Sequence, residues 1–164
     1  MAAFSSDLHK APRPVLTLSG TIDERVDLAA AATEVASGDL VLRLGNVDRI
    51  NSNGVRLWVR WVEGLEARGV RLLMEDVSPV LVAQLNSIRG FTGQQGVVVS
   101  VQAPFVCEGC GAEVTSTVDV RNLRQAPVVL APRCPDCGGA TVFDDLESAY
   151  FAFLETQTTT APSV

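Results

Sequence analysis

The sequence has no apolar run long enough to cross a bilayer, and its first residues lack the basic-then-apolar pattern of a secretory leader. Both absences predict a cytoplasmic chain with no membrane partner. Basic residues are outnumbered, 13 Lys and Arg against 19 Asp and Glu, for a net charge of −6. Non-specific attraction to nucleic-acid backbones is therefore disfavoured, and no nucleic-acid partner is expected. Histidine is almost missing: His9 is the single one, and it lies in a polar stretch where it reads as solvated. There is no glycine-rich phosphate loop and no catalytic-triad pattern, so the chain is expected not to be an enzyme. No internal repeat is visible beyond two short cysteine turns.

What is present suffices for one buried core. The chain has 164 residues, 47% of them hydrophobic and 20% charged, which fits one domain with at most a small appendage. Residues 1–13 read as a flexible arm. Apolar spacing predicts a strand at 14–20 and then a helix at 24–36, opened by Thr21 with an acid three residues on. A nearly continuous apolar run predicts a strand at 40–44, covered on both faces. A helix follows from Gly54 to about residue 68. On it Val55, Trp58, Val59, Val62 and Leu65 share one core-facing stripe, while Arg56, Arg60 and Glu63 point outward. Leu57 and Trp61 flank that stripe, either completing the core or forming an exposed docking patch. A strand at 70–75, a helix opened by Ser78 and Pro79, and a strand at 96–101 complete an alternating order. Such alternation implies an α/β fold, a parallel or mixed sheet with helices packed on it.

The turn Ile50-Asn51-Ser52-Asn53-Gly54 sits where a strand ends and a helix begins. Unpaired amides and the helix dipole favour an anion at such a point. Asn53 is the expected N-cap.

The four cysteines fall in two pairs, Cys107-Glu108-Gly109-Cys110-Gly111 and Cys134-Pro135-Asp136-Cys137-Gly138. Each turn can offer two sulfurs to one ion, and the glycine permits the tight backbone after it. Four thiolates favour tetrahedral zinc, one per chain, in a closed structural site; iron is the weaker fit. The rival is a thiol-redox pair. Strands are expected at 113–120 and 127–130, so the segment resembles a zinc ribbon. Residues 141–143 and a helix at 144–154, with Leu146, Tyr150, Phe153 and Leu154 on its apolar stripe, resume a globular pattern. The tail, 155–164, is rich in threonine and is expected to be disordered.

Residues 14–101 resemble a STAS domain, the fold of bacterial anti-sigma-factor antagonists. The resemblance rests on the run Leu40-Val41-Leu42-Arg43-Leu44-Gly45-Asn46-Val47-Asp48-Arg49-Ile50-Asn51-Ser52-Asn53-Gly54. It rests also on the Ser78-Pro79 helix start, on Ile88-Arg89-Gly90-Phe91, and on Phe143-Asp144-Asp145-Leu146-Glu147-Ser148-Ala149. It implies a STAS-like domain at 14–103, a zinc ribbon inserted at 104–140 before the last helix, and a return to the domain at 141–154. It implies further a partner-switching role, in which a GHKL-type serine kinase that is also the anti-sigma factor binds the unmodified module. The family's phospho-acceptor is the serine before the glycine. Here that position is Asn53, which cannot be phosphorylated, and Ser52 is the one hydroxyl in the turn.

The expected function is thus a non-enzymatic adaptor or scaffold in bacterial signalling. Its partner would be a GHKL-type kinase or another STAS protein, contacted through Asn51, Ser52, Asn53, Gly54, Arg56, Leu57 and Trp61. The alternatives are a ribbon protein that contacts the transcription machinery and a structural component of a larger assembly.

Overall fold

A computed structural model of the chain describes residues 2–10, 12–125 and 129–156. Its first layer is a five-stranded mixed sheet. The strands are β1 (Ser5–His9), β2 (Val15–Ile22), β3 (Gly38–Ile50), β4 (Val70–Glu75) and β5 (Val97–Val98), paired in that order. β1 runs antiparallel to β2, and the remaining pairs are parallel. Parallel neighbours need crossovers. These contain α1 (Leu28–Ala31), α2 (Ser52–Ala67) and α3 (Pro79–Ser87). The central strands are buried on both faces: Leu40, Val41 and Leu42 of β3, and Leu72, Leu73 and Met74 of β4. That double burial is why their sequences read as unbroken apolar runs.

Trp58 anchors α2 to the core. It is fully buried, stacks on Phe91 at 5.0 Å, and donates from Nε1 to the Phe91 carbonyl at 2.8 Å. Trp61 meets it edge-on at 5.4 Å.

The second layer is a three-stranded antiparallel sheet. β6 (Ser100–Cys107) lies between β7 (Glu113–Asp119) and β8 (Thr141–Phe143). The two sheets are joined by backbone. The Val99 amide still donates to Met74 of β4, whereas the next residues bridge the β4–α3 loop through Val77 and Val101. Asp76 makes the joint polar. It holds a left-handed φ of 55°, a region that Asp tolerates better than most residues. Its amide donates to Ser100 Oγ, and its carboxylate accepts from Gln102 Nε2 and Thr117 Oγ1. Beyond β7 come α4 (Val120–Gln125) and, after β8, α5 (Glu147–Tyr150) and α6 (Phe153–Thr156). Asn86 at the end of α3 clamps the last two. It donates to the Ala149 and Tyr150 carbonyls and accepts from the Phe153 amide at 2.8 Å. Tyr150 and Phe153 are buried in the main core, and Tyr150 Oη donates to the Gln102 carbonyl. Among the described residues no helix is long and apolar enough to cross a membrane.

Several local expectations need correction. The stretch expected to be a flexible arm carries β1, because β2 offers an edge of free backbone groups. Ala2 ties it further, accepting from the Thr21 amide and donating to Asp48. The helix expected at 24–36 shrinks to α1. Asp23 binds both the amide and the guanidinium of Arg25, which holds the approach as a turn, and Asp27 is the cap that accepts from Ala30. The strand expected at 40–44 is β3, which runs on to Ile50 because its second half pairs with β2 across irregularities in register. The strand expected at 96–101 is divided at Val99 between the two sheets. The expected ribbon boundary after residue 103 falls inside β6. The strand expected at 127–130 falls partly outside the described residues, and Val129 and Leu130 are irregular. The helix expected at 144–154 breaks at Phe151 and Ala152, and Leu146 is 68% exposed instead of core-facing. Of the tail, Glu155 and Thr156 belong to α6, and 157–164 lie outside the described residues. Ser78 and Pro79 open α3 as expected, although the Ser78 hydroxyl makes no capping bond.

Candidate metal centre and partner-binding turn

The two cysteine turns are near copies of each other. The Gly111 amide donates to the Cys107 carbonyl at 2.9 Å, and the Gly138 amide donates to the Cys134 carbonyl at 2.9 Å. Each turn closes on a glycine in the left-handed region, Gly111 at φ 72° and Gly138 at φ 69°, which the sequence pattern anticipates. β6 delivers the first turn and β8 begins just after the second. The Glu108 amide donates to Ala140 and locks the turns together.

The result is a cluster of four sulfurs within 4.8 Å of one another, able to hold a metal ion. Cys107 and Cys137 Sγ are 3.4 Å apart, and Cys110 and Cys134 Sγ are 3.7 Å apart. Sulfurs at the corners of a tetrahedron of roughly 2.3 Å metal–sulfur bonds would be roughly 3.8 Å apart. The donor set therefore fits a thiophilic ion. Cys107 and Cys134 are buried and Cys110 and Cys137 exposed, so the centre lies at the surface. Space is tight: a Cβ on Gly139 would lie 3.1 Å from Cys137 Sγ and 3.2 Å from Cys107 Sγ. The Cys110 and Gly109 amides point at Cys107 and draw its thiol down to about 6. Cys110 has the Ala112 amide in its favour, yet the three neighbouring sulfurs push it up to about 12. Four sulfurs so close cannot all ionise alone, and a bound cation is what would let them do so.

The turn at the start of α2 is built differently from the expectation. Asn51, not Asn53, is the N-cap. Its backbone stays extended at the end of β3, and Oδ1 accepts from the Gly54 amide at 2.7 Å. The helix thus begins two residues earlier than expected, at Ser52, and Asn53 sits in its first turn. Gly54 is required, because a Cβ there would lie 2.2 Å from the Ile22 carbonyl oxygen. Ser52, Asn53 and Arg56 are exposed, Asn51 and Leu57 are half-buried, and Gly54 is buried. Leu57 packs against the core, and Trp61 is only 8% exposed, so these two complete the core and form no exposed patch.

One residue of this turn has no local signal in the sequence. Glu24, from the β2–α1 loop, accepts from Asn51 Nδ2 at 2.9 Å. That bond, aided by Asn53, holds its carboxyl below the usual range. A pairing 27 residues apart leaves no periodic trace. The turn therefore carries a carboxylate where a free helix start would attract an anion. A cavity of about 1100 Å³ lies elsewhere, between β5, the 89–96 loop and α6.

The chain matches no known family model, no curated protein and no solved structure.

Proposed function

We propose that the chain is a non-enzymatic protein-binding module of the STAS type, cytoplasmic and bacterial, with one structural zinc held by Cys107, Cys110, Cys134 and Cys137. The observation that carries the binding role is the turn at the start of α2. Asn51 closes it internally, and Ser52, Asn53 and Arg56 are left exposed beside it. The alternation of strands and helices around a mixed sheet supports the fold reading. The partner is a GHKL-type serine kinase or another STAS protein. Asn53 stands where the family carries its phospho-acceptor, so binding is constitutive. Glu24 deepens this, since any new negative charge on the turn meets its carboxylate. The zinc reading rests on the four-sulfur donor set, which leaves no open position for catalysis.

The test is titration of the zinc-loaded chain against the GHKL-type kinases and STAS proteins of its own cell. One should bind with or without ATP, and Asn53→Asp should weaken it about tenfold, roughly 1.4 kcal/mol. If neither a GHKL-type kinase nor a STAS protein of that cell binds, or if Asn53→Asp binds as tightly as the native chain, the reading fails. A second reading, a ribbon that docks on the transcription machinery, draws on three large apolar side chains left exposed, Leu130, Val142 and Leu146 at 82%, 42% and 68%. Capture of polymerase subunits, lost on Leu146→Glu, would favour it.

A further inference from the structure

Two sheets present four edges, and three of them are short. β5 has two residues, β8 three and β1 five. The fourth, β7, has seven residues, and it pairs with β6 in seven consecutive registers without a bulge. Among the described residues nothing pairs with its other side. It carries no proline and no basic residue, the usual devices that keep an edge from pairing.

The backbone polarity of that edge can be read from its neighbours. The Asp144 amide donates to the Pro104 carbonyl, so Pro104 turns its backbone towards β8. Its register partner Thr115 therefore turns its own N–H and C=O away from β6. By alternation Glu113, Thr115, Thr117 and Asp119 all offer unpaired backbone groups to the open edge. Val114, Ser116 and Val118 share the face of Val101, Ala103 and Phe105, which are buried, yet are themselves only half covered.

The strand also reads nearly the same in both directions: Glu113-Val114-Thr115-Ser116-Thr117-Val118-Asp119. An isologous contact needs this self-complementarity. We propose that two copies of the chain join edge to edge along β7, antiparallel, with the two-fold axis at Ser116. Thr115 then faces Thr117 of the second copy, so outward backbone groups meet outward backbone groups and bond in the antiparallel pattern. Val114 faces Val118, and the half-covered apolar face becomes continuous across the axis. Glu113 meets the end of β7 in the other copy, where Arg121 holds Asp119 at 2.8 Å. Glu113 there stands opposite Asp119, and the largely exposed guanidinium can take this second carboxylate, which offsets part of the repulsion between the two. A single shared edge is a small contact, and the dimer dissociates on dilution.

The experiment is sedimentation of the zinc-loaded full chain over a concentration series, with amide exchange at both ends of it. The mass should rise from 17.4 kDa towards twice that value. The Thr115 and Thr117 amides should become protected as it rises. Thr115→Lys, on the exposed face, should return the mass to one chain while metal content and circular dichroism stay native. Ser116→Cys should cross-link to dimer on mild oxidation where the native chain does not. If Thr115→Lys disturbs the fold, the exchange of native Thr115 and Thr117 decides alone. A monomer at every concentration, or a dimer whose Thr115 and Thr117 amides exchange as in the monomer, would overturn the proposal.

Discussion

The two sheets are held by different means. The five-stranded sheet is sandwiched by burial: Leu16, Leu18, Leu40, Leu42, Leu72, Trp58 and Val62 are all 1% exposed or less. The three-stranded sheet begins on that same core through Val101, but its far end has little to bury. Past Phe105, the buried residues at its tip are Cys107 and Cys134, with Thr141 beside them. A region so poor in apolar contacts does not offset its ordering entropy by burial alone. Four sulfurs and one ion would take that part, so the first sheet should tolerate loss of metal and the second should not.

The strongest way to break this contrast is at the sulfurs. Cys134→Ser should abolish stoichiometric zinc and unfold both cysteine turns, since ligand binding supplies about 10 kcal/mol or more to such sites. Near-ultraviolet circular dichroism from Trp58 and Trp61 should persist. The opposite lesion is Trp58→Ala, which removes the ring that fills the first core and orphans the Phe91 carbonyl. It should cost about 3–5 kcal/mol of global stability in denaturant melts. Zinc stoichiometry of the protein that remains folded should be unchanged.

Smaller changes sharpen the account of the turn. Asn51→Ala removes the cap on Gly54 and should cost about 1 kcal/mol. Asn53→Ala should cost much less, because Asn53 is not the cap. Equal losses would contradict the assignment. The smallest effect is a pH dependence. Arg71 holds the Asp39 carboxyl below its ordinary 3.8 through paired bonds of 2.8 Å. The folded chain therefore releases that proton more readily than the unfolded one. The contribution is complete above pH 3.8 and is lost as pH falls through the lower folded value. It should be about 1 kcal/mol or less, and Arg71→Gln should remove it from acid-denaturation curves.

Periodicity made the helices and central strands legible where one face is plainly apolar. Val70–Glu75 and the Ser78-Pro79 start lie where the pattern puts them. The cysteine turns were legible because their chemistry is local and repeated. What escaped was set by distant partners. β1 depends on a free edge of β2, and Val99 divides a strand because one neighbour is Met74 and the next is Val77. Asn51 and Asn53 are equally good caps by composition. Their positions relative to Ile22 and Glu24 decide between them, and neither contact is visible along the chain.

The most direct measurement is amide hydrogen exchange of the full chain before and after zinc is removed by a chelator. The account predicts that amides at 105–114 and 134–143 lose protection while those of β3, β4 and α2 keep theirs. Uniform loss across both sheets, or no change at the cysteine turns, would contradict it.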